Sequence, residues 1–122
     1  MGTQPTIGPS RSRSTANLEA ESARIEAILV ARVSRTFRVR ETAILAPGRA
    51  TAREALARHV AMYLAHVLFG WTYAEIGGRF GRHRTCVNYA CARGEDRRDE
   101  ERFDARISRL ERRILADAGE GA

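Results

Sequence analysis

Apolar residues recur three and four positions apart through most of the chain. Ile25, Ile28, Leu29 and Val33 mark one helical face. Asn17 can cap a helix that starts at Leu18 and ends near Arg35 or Thr36. Phe37 and Val39 alternate with arginines for too few residues to make a strand. A helical turn is expected over residues 40–45, and Pro47-Gly48 then breaks the chain before a loop carrying Arg49. Thr51 with Glu54, and later Thr72 with Glu75, have capping-box spacing. Between them Leu56, Val60, Tyr63, Leu64, Val67 and Leu68 fall on one face of a helix ending near Gly70. A helix of about eight residues is expected to follow Thr72 and run to Phe80, with Gly81 supplying a turn. A second short helix with Val87, Ala90 and Cys91 inward is expected to be interrupted by Gly94. Phe103, Ile107, Leu110 and Ile114 form the stripe of a last helix. These patterns predict an all-α domain of five to six helices, with no internal repeat.

Composition narrows the chemistry. The chain has 122 residues, enough for one domain, and a net charge of +6. Every basic residue other than histidine is arginine, and there is no lysine. A P-loop nucleotide site and Schiff-base chemistry are therefore excluded. No apolar run approaches the ~20 residues of a membrane span, and no apolar signal core opens the chain, so a cytoplasmic protein is expected. Residues 1–16 are rich in Ser, Thr, Gly, Pro and Arg. They read as a disordered basic arm, either an idle tail or one that follows a phosphate backbone, ahead of an ordered domain over residues 17–117. Residues 71–94 carry four arginines against Glu75 alone, while residues 95–122 carry seven arginines against nine acids. The middle of the chain is thus its positive part.

The stretch from Thr72 to Ala90 reads as short helix, tight glycine turn, second helix. Such a unit can set its second helix in a DNA major groove. That helix is expected to open with Arg82, His83, Arg84 and Thr85, with Asn88 and Tyr89 also on its outer face. Arginine can donate two hydrogen bonds to guanine or to a phosphate, and Thr85 can donate to a phosphate or touch a thymine methyl.

The blocks Arg58, Ala61-Met62-Tyr63-Leu64, Glu75-Ile76-Gly77, Phe80-Gly81, Arg82, Thr85, Val87 and Ala90 resemble the C-terminal DNA-binding domain of the bacterial replication initiator DnaA. The likeness extends loosely over residues 20–115 and is strongest to short stand-alone proteins without the initiator's ATPase module. The resemblance implies that Arg82, His83, Arg84, Thr85 and Cys86 occupy a signature that reads bases and phosphates. It implies that Arg49, after a one-residue shift, matches a minor-groove arginine. It also implies that Arg58, Thr72 and Tyr73 hold phosphates through side chains or backbone amides. The chain departs from the family where His83 stands for an aspartate, Arg84 for a histidine, Cys86 for a threonine and Tyr89 for a histidine. These changes favour phosphate affinity and alter the sequence read.

Other clusters read blandly. His59 and His66, like His83 with Cys86, lack the convergent ligands of a metal site, and no cofactor or metal is expected. Cys86 and Cys91 would point about 140° apart on a helix, so they are expected to be reduced. Trp71 is expected to be half-buried. Residues 95–101 read as a solvated helix start, and Arg106, Arg109, Arg112 and Arg113 as a solvated face. No paired carboxylates or nucleophile triad can be assembled, so an enzyme is not expected. The expected partner is double-stranded DNA, with no nucleotide or membrane and with replication or transcription proteins unidentified. The expected function is sequence-specific DNA binding in replication initiation or its regulation. The alternatives are a transcription regulator on a chromosomal or mobile element, or a helical interaction module that has lost DNA readout.

Overall fold

The computed structural model describes residues 3–48 and 50–120, with side chains over 15–48 and 50–119. Six helices follow in order: α1 (Thr3–Phe37), α2 (Glu41–Leu45), α3 (Ala52–Phe69), α4 (Tyr73–Phe80), α5 (Arg84–Arg97) and α6 (Glu101–Glu120). No strand occurs among the described residues, as the apolar periodicity requires. Asn17 lies inside α1 and does not cap it. Apart from residues 15 and 16, the side chains of the basic arm expected over residues 1–16 lie outside those described.

Helix α3 is the centre of the fold and packs against α1, α2, α4, α5 and α6. Ala57, Arg58 and the run Val60–Ala65 are all buried, so α3 is enclosed on nearly every side. The one-faced amphipathic helix expected from Leu56, Val60, Tyr63, Leu64, Val67 and Leu68 is corrected accordingly. Val67 is in fact exposed, and Ala57, Ala61 and Ala65 carry burial that a search for large apolar residues overlooks. Their small side chains let neighbouring helices approach closely. Both expected capping boxes are present: the Thr51 and Thr72 hydroxyl oxygens accept from the Glu54 and Glu75 amides. Gly70 and Gly81 end α3 and α4 in left-handed conformation.

Arginine side chains tie the outer helices to this core. Arg79 donates to Glu26 (2.9 Å) and Glu19 (2.6 Å), fixing α4 to α1, and lies over Trp71. Trp71 beneath it is buried, not half-buried. Arg32 pairs with Asp117 and Arg24 donates to the Ala118 carbonyl (3.1 Å), joining α1 to α6. Arg106, expected on a solvated face, donates to the Thr36 carbonyl (2.8 Å) and stacks over Phe37. Arg98 bonds to Asp104, Glu111 (3.2 Å) and the Tyr63 hydroxyl (3.3 Å), while Tyr63 donates to Glu95 (2.8 Å). Burial, then the bond to Glu95, pushes the Tyr63 hydroxyl up to about 12. The 95–101 segment is mostly exposed, as expected, but it is not a helix start. It is the end of α5 and a turn stapled to α3 and α6.

Gly94 does not interrupt α5. It sits buried inside the helix because a Cβ there would lie 2.7 Å from Cγ of the Tyr63 ring. That ring is pinned by its hydroxyl and has nowhere to move. Gly94→Ala is expected to destabilise the fold by about 1–3 kcal/mol, since overpacking outweighs the gain in helix propensity. Denaturant unfolding of the two proteins measures the difference.

Candidate nucleic-acid interface

The turn between α4 and α5 is set by two glycines. Gly81 adopts φ 64°, and the Arg82 amide donates back to the Gly77 carbonyl (2.9 Å). Gly77 is buried where a Cβ would collide with the Arg82 carbonyl oxygen, so the chain reverses tightly over it. Helix α5 then begins at Arg84, two residues later than the sequence suggests. His83 is its N-cap: Nδ1 accepts from the Thr85 amide (3.1 Å) and lies 2.9 Å from the Thr85 hydroxyl.

The structure brings most of the expected residues to one end of the molecule. His83, Arg84, Thr85, Cys86 and Asn88 are all exposed, with Tyr89 beside them 58% exposed. Arg82 is half-buried; Nη2 donates to the Ala46 carbonyl (2.9 Å), and Nε is buried without a partner. Arg49 lies outside the described residues. Thr72 is exposed at the N-cap of α4, but its amide donates to Glu75 (2.7 Å) and is not open to an anion. Tyr73 lies half-buried, its ring 4.9 Å from that of His66. Tyr73, Asn88 and Cys91 line one depression of about 250 Å³ between the start of α4 and α5. Burial raises the Cys91 thiol to about 11, so it stays protonated and unreactive. No disulfide joins it to Cys86, which is exposed.

Arg58 is a correction. It is 6% exposed, and its guanidinium donates to the carbonyls of Ile44 (2.9 Å), Ala43 (2.9 Å) and Ala46 (3.2 Å). It satisfies the open C-terminal end of α2, which leaves it little surface for the phosphate contact expected of it. Arg58 and Arg82 thus converge on the single carbonyl of Ala46, just ahead of the Pro47-Gly48 break. Sequence reasoning found both arginines but not this junction, because no periodicity links positions so far apart. The His66 ring likewise has a structural role, with Nδ1 donating to the Trp71 carbonyl (2.9 Å).

Charge is sorted by place. The ion pairs among the described residues join α1 to α4 and α6, close within α1, or hold the α5–α6 junction. None involves Arg82, Arg84 or Arg93. Glu54 and Glu75 are held in capping boxes, and Glu95 accepts from the Tyr63 hydroxyl. His59 reports the resulting field from a cleft of about 390 Å³ that Tyr89 and Arg93 also line. Burial first, then the charges of Arg58, Arg93 and Arg82, hold its ring below the ordinary histidine value of 6.5. No group of three or more metal-ligating residues occurs among the described residues, and no described helix is long and apolar enough to cross a membrane.

A pH dependence follows from His59. Its folded value lies below its unfolded one, so below about 6.5 the unfolded chain binds the extra proton. The associated stability is complete above that value and is lost as pH falls through the window beneath it. Chemical unfolding at about pH 7.5 and about pH 5.5 is expected to show this loss, and His59→Gln to flatten it. An unchanged slope in the variant would assign the loss to other groups.

Comparison with known proteins agrees with this arrangement. A sequence model described as the bacterial DnaA protein helix-turn-helix matches residues 25–93, more than half of the chain and from α1 into α5. No curated protein matches the chain. The fold, the glycine turn and the family match lead to one conclusion: the chain belongs to the bacterial DnaA helix-turn-helix family, a DNA-binding module.

Proposed function

We propose that this protein binds double-stranded DNA sequence-specifically, with α5 in the major groove, and acts in replication initiation or its control. The observation that carries this reading is the open N-terminal face of α5. Arg84, Thr85 and Asn88 stand exposed there, and the arginines of that end are in no carboxylate pair. Arg84 is assigned to a base edge or a phosphate in the groove. The α2–α3 loop with Arg49, and the first amides of α4 at Tyr73, are assigned to the flanking backbone, where unpaired helix-start amides favour anions. Arg82, half-buried, borders this surface. Such a protein would work in the cytoplasm on the nucleoid.

Fluorescence anisotropy with labelled duplexes tests the binding. Arg84→Ala is expected to weaken the preferred duplex by about 1–3 kcal/mol and to flatten preference at one base position. Equal loss on every duplex would make Arg84 a phosphate contact, and no binding by the unmodified protein at low salt would overturn the function. Genome-wide occupancy tests the replication role: the expected result is enrichment at the origin, and enrichment at promoters alone would replace it with transcriptional control.

A further inference from the structure

Resting on that reading, we infer that His83 is a specificity-determining residue that presents a hydrogen-bond donor to the groove, and so selects a base with an acceptor edge, guanine or thymine.

The argument starts from a group with only one possible role. The backbone N–H of Thr85 can only donate, and it points at Nδ1 of His83 at 3.1 Å. Nδ1 must therefore be unprotonated. The Thr85 hydroxyl lies 2.9 Å from the same nitrogen. The amide bond holds that edge of the ring and caps α5 with it. A neutral imidazole carries one N–H, so the proton lies on Nε2. Nε2 has no partner among the described residues, and the residue is exposed beside Arg84. The ring that caps the helix thus offers the groove a donor, with no acceptor left to offer.

In the major groove a donor fits N7 and O6 of guanine or O4 of thymine. It meets a like group at the cytosine N4 amine, and adenine offers it a single acceptor, N7, beside the N6 donor, where guanine offers two acceptors. An aspartate at the same cap would have the opposite sense, because an ionised carboxylate only accepts. An asparagine would keep the sense of histidine. Its Oδ1 can take the Thr85 amide and its amide nitrogen can donate outward.

In-vitro selection from random duplexes, run with the full chain, His83→Asp and His83→Asn, decides the matter. All three residues cap helices well or are seen to do so here, and circular dichroism checks the fold of each variant. The wild-type motif is expected to hold guanine or thymine at one position. His83→Asp is expected to change that position alone to cytosine or adenine, and His83→Asn to keep it. On two duplexes differing only there, the preference is expected to reverse by about tenfold in each direction. An Asp variant that binds with the wild-type motif overturns the inference while leaving DNA binding intact, as does a wild-type protein that binds without any motif. A wild-type protein that binds no duplex removes both. Should the Asp variant fail to fold, cytosine or adenine at the position that His83→Ala relaxes overturns the inference, and guanine or thymine there supports it.

Discussion

The carbonyl of Arg82 passes over Gly77 at a distance that leaves no room for a side chain. This contact sets how sharply the chain reverses between α4 and α5, and with it the pose of everything α5 carries. Gly81 supplies the left-handed step and the Arg82 amide closes the turn on the Gly77 carbonyl. The capping box at Thr72 fixes one end of the unit, and the His83 ring fixes the start of the next helix. The exposed residues of α5 are thus held by backbone geometry and by the His83–Thr85 cap at the start of the helix.

The second organising feature is the division of labour among arginines. With no lysine in the chain, every strong cation is a planar fork suited to carbonyls, carboxylates and aromatic faces. Arg24, Arg32, Arg79, Arg98 and Arg106 use that fork to bind one helix to another, over Trp71 and Phe37 where apolar surface is available. These same pairs absorb acids of α1 and α6 that would otherwise weaken the positive end. A chain with mixed charges in sequence becomes a molecule with sorted charges in space, and the His59 ring, held down first by burial, also feels the charges of Arg58, Arg93 and Arg82.

Much of the fold was legible in local pattern. The stripe of α6, both capping boxes, the glycine ends of α3 and α4 and the glycine turn all follow from spacing a few residues long. The misses share one cause, which is contact across distance. Gly94 looked like a helix break because glycine is usually one, and only the Tyr63 ring against it explains why it stays helical. Arg58 looked like a phosphate ligand because family likeness carries residue type without its partners, and the carbonyls it serves lie 12–15 residues away. The bonds of Arg98 and Glu95 were missed because a run of charge has no local signature of pairing. Within the interface, Arg84, Thr85 and Asn88 were legible as an outer face. The cap formed by His83 was not, since histidine is an uncommon choice at that position.

The shared carbonyl of Ala46 has a mechanical meaning. Arg58 from α3 and Arg82 from the start of α5 both hold it, and the segment carrying Arg49 follows directly. Any shift of α5 along its axis therefore pulls on the same atom that anchors the neighbouring loop. One carbonyl thus ties the start of α5 to the end of α2 through α3, and a displacement of any of the three is felt by the other two.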